Sequence, residues 1–304
     1  MPENEPAESP STPAPQMVAL SDGTALATWT DGALRDLPPA VLLHGGPGLW
    51  DDLAPLADLL SDRTQVHRVD QRGCGRSRDS DDAAEEVTVA RLLADLEELR
   101  RHWGHERWVV IGHSFGADLA LLAAASEPEH VSAACYLSGT GIGDWHTPYR
   151  AERDRRAAPF GEELAALTRL PDRDQEQEVR WRTLTWASDF APTAGRTESA
   201  AMEHACRLAE ESAGLAIAHD LNRSLPQDPD LADPELIAAA ARCTLPVWFV
   251  HGAEDPRPVG PVVELAAQAP RARKRIIEGA GHRPWVEQPD RTREILLEVL
   301  HSAP

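Results

Sequence analysis

The chain has 304 residues, 42% of them hydrophobic, and a formal charge of −20. That is long enough for one large α/β domain, or for one domain carrying an insertion. The acidic balance argues against nucleic acid or anionic membranes as partners, since both require clustered Lys and Arg. No apolar run is long enough to span a bilayer, and a basic-then-apolar leader is not expected. Cys74, Cys135, Cys206 and Cys243 are far apart in sequence and form no C-x-x-C, so they read as reduced thiols of a cytoplasmic protein.

Residues 1–16, "MPENEPAESPSTPAPQ", are rich in Pro, Glu and Ser and predict a disordered tail. "MVALSDGTALATWTDG" follows, two short alternating runs around a D-G turn, and predicts a β-hairpin. From there strand and helix alternate. "AVLLHG" reads as a strand and "WDDLAPLADLLSD" as a helix, with Leu53, Leu56, Leu59 and Leu60 at helical spacing. "QVHRVD" is a strand leading to the turn "QRGCGRS". "TVARLLADLEELRRHWG" is a helix capped by Thr88 and ended by Gly104. "RWVVIG" and "VSAACYLSG" are the next strands. Strands that are apolar throughout and alternate with helices imply a mostly parallel sheet covered on both faces.

The rhythm breaks at residues 143–225, a stretch rich in charge and tryptophan that predicts helices and no strand. It is led in by "SGTGIGD", which lacks G-x-G-x-x-G spacing and reads as a turn. Strand and helix return with "LPVWFVHG", "GPVVELAAQA", "RKRIIEG" and "DRTREILLEVLHSA". The expected organisation is therefore an α/β core over residues 17–142 and 226–304, interrupted by a helical segment over 143–225.

The chemistry centres on Gly112-His113-Ser114-Phe115-Gly116, a G-x-S-x-G pattern between a β-branched run and a long apolar stretch. Such a serine sits on a tight strand-to-helix turn with its hydroxyl exposed. A serine is also an ordinary helix cap, so the motif decides little alone. A serine nucleophile needs a base, and the base needs a third group to orient it. Both should follow later strands, because open parallel sheets bind ligands at their carboxyl ends. Asp255 follows "VWFVHG" and His282 follows "RKRIIEG", in the order serine, acid, histidine. Glu254 and Asp144 are competing carboxylates. "HGGPG", residues 44–48, is a Gly-rich turn after an early strand, suited to bringing backbone N–H donors to an oxyanion. No metal-binding spacing occurs, and the chemistry needs no cofactor.

"HGGPG", "DQRGCGRS", "GHSFG", "HGAEDPRP" and "GAGHRPWVEQP" together resemble the α/β-hydrolase superfamily, specifically its proline iminopeptidase-like branch, over about residues 35–140 and 240–302. The resemblance implies an α/β-hydrolase fold with a helical cap and a serine hydrolase with Ser114, Asp255 and His282 as its triad. It further implies that the N–H groups of Gly46 and Phe115 form the oxyanion hole and that Asp70 and Arg72 brace the adjoining loop. Iminopeptidases usually carry Trp after the nucleophile and use cap glutamates to hold a substrate amine. Here Phe115 takes the first place, and Glu203 is the candidate for the second. Some members also carry Glu directly after the catalytic Asp, where this chain has Pro256.

The expected substrate is a small molecule, apolar or aromatic in part. Trp50 and Trp285 are the candidate contacts near the nucleophile, and Trp145, Trp181 and Trp186 are those in the helical segment. No more than two or three of these five are expected at the substrate. Ester, lactone, thioester or amide cleavage fits the same machinery. The alternatives are an acyltransferase, a C–C bond hydrolase, or a non-catalytic ligand receptor on this fold. Oligomeric state is left open.

Overall fold

A computed structural model describes residues 14–77, 87–192 and 199–303. Most of the expected tail lies outside these residues, but Gln16, its last residue, begins the first strand. β1 (Gln16–Ala19) and β2 (Ala25–Asp31) form the antiparallel hairpin. The remaining strands are β3 (Ala40–Leu43), β4 (Val66–Val69), β5 (Trp108–His113), β6 (Val131–Leu137), β7 (Val247–Gly252) and β8 (Ala272–Ile277). They make one eight-stranded sheet in the order β1-β2-β4-β3-β5-β6-β7-β8. Only the β1–β2 and β2–β4 pairings are antiparallel.

The strand sequences show why the sheet is covered twice. Every residue of β3, β5, β6 and β7 is buried. Alternate side chains enter opposite cores. Val41 and Leu43 of β3 join one, with Tyr136 and Phe249, whereas Ala40 and Leu42 join the other, with Cys135 and Trp248. The first core is roofed by α2 (Val89–His102), α3 (Phe115–Ser126), α9 (Asp233–Arg242) and α10 (Val259–Ala266). The second is roofed by α1 (Ala54–Asp58), α11 (Pro284–Glu287) and α12 (Pro289–His301). Helix α3 is apolar nearly all round and almost wholly buried, as a helix between a sheet and other helices must be. β8 lies at the sheet edge with Arg273, Lys274 and Arg275, charges that discourage further strand pairing.

Local signals explain the element ends. The Thr88 side chain accepts the Arg91 N–H at 3.2 Å, and Gly104 closes α2 with φ of 72°. α1 is shorter than the leucine spacing predicts. Asp51 and Asp52 ahead of it are held by Arg68 and Arg283, so the chain there follows those bonds rather than a helix.

Between β6 and α9 the chain is helical, with no strand among the described residues: α4 (His146–Ala157), α5 (Gly161–Thr168), α6 (Gln175–Trp186), α7 (Ser199–Glu211) and α8 (His219–Ser224). Arg156 of α4 ties this stretch to the sheet. Its guanidinium donates to the carbonyls of Ser188 at 3.0 Å, Phe190 at 3.1 Å and Glu254 at 2.8 Å. Arg156→Ala strands partly buried carbonyls, and is expected to lower the unfolding free energy by about 2–3 kcal/mol, measured by urea denaturation.

The strand order also selects the place for a site. The chain runs from β3 to β4 on one side, then returns to β5 on the other. The carboxyl ends of β3 and β5 are therefore adjacent at a topological switch point, where open α/β sheets bind ligands.

Candidate active site

Ser114 occupies the turn between β5 and α3, with φ of 55° and ψ of −118°. Its N–H donates to the Leu137 carbonyl at 2.9 Å. A positive φ is uncommon for serine and is tolerated where the surroundings enforce it. Here the enforcement is backbone packing. A Cβ on Gly112 would lie 1.8 Å from the Gly116 carbonyl oxygen, and one on Gly116 would lie 2.3 Å from that of Leu43. The two flanking glycines thus permit the turn to close.

The loop after β3 abuts this turn: a Cβ on Gly45 would lie 2.9 Å from the Ser114 Cβ. Gly46 lines the cavity above the serine. Phe115 is the first residue of α3, so its N–H has no partner within the helix, while its side chain packs in the first core. Gln71 braces the loop from beneath. Its backbone N–H donates to His44 Nε2 at 3.0 Å and its side-chain amide to the His44 carbonyl at 2.8 Å. Asp70 is fully buried and accepts the N–H of Asp51 at 2.6 Å and of Arg76 at 2.7 Å. Arg72, expected to brace the same loop, does not. It pairs through two bonds with Asp95 of α2 and reaches Asp22 in the β1–β2 turn.

Asp255 and His282 follow β7 and β8. The His282 Nδ1–H donates to Asp255 Oδ2 at 2.6 Å, which leaves Nε2 as the nitrogen able to take a proton. Of the competing acids, Glu254 accepts the Ala280 N–H and Asp144 the Thr147 N–H, away from the histidine ring. Burial alone would raise the Asp255 pKa. The imidazoles of His282 and His251, with Arg257, more than offset this and hold the carboxyl well below its ordinary range. Burial lowers the His282 pKa below 6.5, and Arg257 lowers it further, against the opposing pull of Asp255.

Three groups near His282 were not legible as site residues. The Asp189 carbonyl accepts the His282 N–H at 2.7 Å. Glu287 bridges the N–H groups of Gly281 and Ala191, each at 2.7 Å. His113, next to the serine, donates through Nε2 to the His282 carbonyl at 3.0 Å. Their only sequence signal was position: His113 within the elbow, Glu287 five residues after His282, Asp189 in the helical segment.

Ser114 and His282 face one cavity of about 410 Å³. Their side chains are not hydrogen-bonded to each other in this arrangement; such bonds often tighten only when substrate is bound. Trp50, Trp181 and Trp186 line the cavity with Tyr149, so three of the five expected tryptophans reach it. Trp285 does not. It is buried behind His113, edge-on at 4.7 Å between ring centres. Trp145 stacks on His146 instead. Glu203 also lies off the cavity, on an exposed face of α7 whose opposite face buries Ala205 and Ala209. The walls are less apolar than expected, because Asp52, Arg153, Asp189, Arg257 and Arg283 share them with the aromatic rings.

A sequence profile described as the alpha/beta hydrolase family matches residues 40–295. The chain belongs to that family. Within it the chain is proline iminopeptidase-like. It is 39% identical over 155 residues to a proline iminopeptidase of Saccharolobus solfataricus, covering 50% of this chain and 44% of that protein. It is 38% identical over 103 residues to that of Neisseria meningitidis, covering 34% and 33%. The chain thus aligns with less than half the length of these relatives. A longer match, 24% identical over 284 residues, joins it to the proline iminopeptidase of Lactobacillus helveticus, covering 88% and 92%. Among solved structures, the proline iminopeptidase of Mycobacterium smegmatis superposes with a TM-score of 0.66 at 18% identity, covering 95% of this chain and 98% of that one. A meta-cleavage product hydrolase of Pseudomonas fluorescens gives 0.68 at 17%, with 95% and 98% covered. At these identities the structures share the α/β-hydrolase fold. Among the described residues no helix is long and apolar enough to cross a membrane, and no His/Cys/Asp/Glu cluster is placed to hold a metal ion.

Proposed function

We propose that this α/β hydrolase is a serine hydrolase that cleaves a small ester, lactone or amide through an acyl-enzyme. The observation that carries this reading is the buried Asp255–His282 hydrogen bond of 2.6 Å beside a strained serine on a shared cavity. Ser114 Oγ attacks the substrate carbonyl as His282 Nε2 takes its proton. Asp255 fixes the ring tautomer and balances the imidazolium. The N–H groups of Gly46 and Phe115 hold the oxyanion. His282 returns the proton to the leaving group, and water then cleaves the acyl-serine by the same route.

Helices α4–α8 act as a cap over the serine. They are bonded to both rims of the cavity: Asn222 donates to the Pro47 carbonyl and Ala218 to that of Gly48, each at 2.8 Å, while Asp189 holds His282. Esters and lactones fit better than aminoacyl substrates. Glu203 lies off the cavity, and both carboxylates that line it, Asp52 and Asp189, are already paired with Arg283 and Arg257. The four cysteines, none in a disulfide, fit a cytoplasmic location.

The test is a fluorophosphonate label mapped by mass spectrometry, run beside two substrate panels, proline arylamide and short-to-medium acyl nitrophenyl esters. Labelling at Ser114 with ester turnover is the expected result. An unlabelled Ser114 with silence on both panels overturns the reading in favour of a receptor. The pH profile supplies a second check. Neutral His282 is the active base, and its pKa is depressed, so kcat/KM is expected to persist through pH 6.5 and fall only below it. Arg257→Gln removes a cation that disfavours imidazolium and should move that acid limb to higher pH.

A further inference from the structure

The charge on the cavity wall runs against that of the chain. Overall there are 50 Asp and Glu against 30 Lys and Arg, yet the cavity is lined by three arginines and two carboxylates. Both carboxylates are committed, Asp52 to Arg283 and Asp189 to Arg257 at 2.8 Å. Arg153 is left over. Its carboxylate partner is Asp154, its own neighbour in the chain, which is largely exposed and off the cavity. A solvated pair of that kind holds its members weakly.

Arg257 is also only partly used. Its side-chain bonds to Asp189 and Asp255 both leave from Nη1, and Nε and Nη2 have no protein acceptor among the described residues. Arg153 and Arg257 lie over the same ring, that of Tyr149, at 5.7 and 4.6 Å from its centre. Two guanidinium groups with N–H edges to spare thus stand on one wall of the cavity that holds Ser114 and His282. Asp52 Oδ1 is buried without a hydrogen-bond partner among the described residues, but the charge of each lining carboxylate is already balanced by an arginine, whereas a carboxylate finds two planar donors suited to it.

We infer that this wall is an anion subsite, and that the preferred substrate of the serine hydrolase carries a carboxylate seated at Arg153 and Arg257. The inference rests on the hydrolase reading and narrows it to acidic esters or lactones. Hydrolysis itself is unchanged: water supplies OH to the acyl carbon and H to the leaving oxygen.

The experiment compares two matched pairs of esters. Mono-nitrophenyl glutarate against nitrophenyl valerate tests a carboxylate on the acyl side. Carboxyphenyl butyrate against its methyl ester tests one on the leaving side. One charged member is expected to show at least a tenfold lower KM than its neutral partner. Arg153→Glu is expected to cut the charged-to-neutral ratio of kcat/KM at least tenfold. Equal KM values within both pairs, or a ratio unmoved by Arg153→Glu, overturn the subsite while leaving the hydrolase standing. If no ester is turned over and Ser114 is unlabelled, the hydrolase reading fails and the subsite is read separately. Glutarate should then quench the fluorescence of the cavity tryptophans saturably, glutaramide should not, and Arg153→Glu should abolish the effect. Absence of that quench overturns it.

Discussion

Replacing Ser114 by alanine is expected to lower kcat by about 10⁴–10⁶-fold with no change in melting temperature. On the proposed mechanism the alcohol oxygen is the nucleophile, and nothing else beside it on the turn would replace it. The fold does not depend on that oxygen. The Cβ that packs against Gly45 is kept, and the positive φ of 55° is as unfavourable for alanine as for serine. Steady-state assays and thermal melts of the two proteins, run in parallel, separate the effects. An Ser114→Ala protein as active as its parent would remove Ser114 from the chemistry. A large drop in melting temperature would instead make the serine structural.

Gly112→Ala is expected to act on the opposite quantity, costing about 3 kcal/mol of stability or more. The added methyl would sit 1.8 Å from the Gly116 carbonyl oxygen, 2.2 Å from its carbon and 2.7 Å from the Ala117 nitrogen. These are backbone atoms of the first turn of α3, so no rotamer change relieves the clash. The helix would have to lift off β5, and α3 contacts β5, β6 and α9 along its length. Denaturant unfolding measures the loss, and fluorophosphonate labelling shows whether the elbow survives. Gly214→Ala is the control, since nothing lies within 4 Å of its Cβ position. Equal stability of the two variants would show that the elbow tolerates bulk.

What the sequence made legible follows from how locally each feature is encoded. The buried parallel strands are continuous apolar runs, and the Ser114, Asp255 and His282 positions are fixed by the strand ends that precede them. The hydrogen bond joining the last two spans 27 residues but needs only neighbouring strands, β7 and β8. The cavity wall is encoded differently. Tyr149 and Arg153 come from α4 and Trp181 and Trp186 from α6, and only the packing of those helices brings them over the serine. A sequence does not show which way each face of α7 points, and Glu203 lies off the cavity; the nearness of Trp285 to His282 in the chain does not bring its ring to the cavity either. Arg72 and Gln71 are adjacent and chemically plausible as braces; the strand-end geometry sends one to α2 and the other to His44.

The bond from His282 N–H to the Asp189 carbonyl has an evolutionary corollary. The helical stretch that shapes the cavity also supports the backbone of His282, and Glu287 and Arg156 fasten the same turn from two sides. On the proposed mechanism, substrate choice and proton transfer are therefore not separable modules in this protein. A transplanted helical segment from a relative would bring new pocket walls but disturb His282, unless residues 188–191 travelled unchanged with it. Diversification of specificity is most freely open to positions such as Arg153, Trp181 and Ile217, which line the cavity.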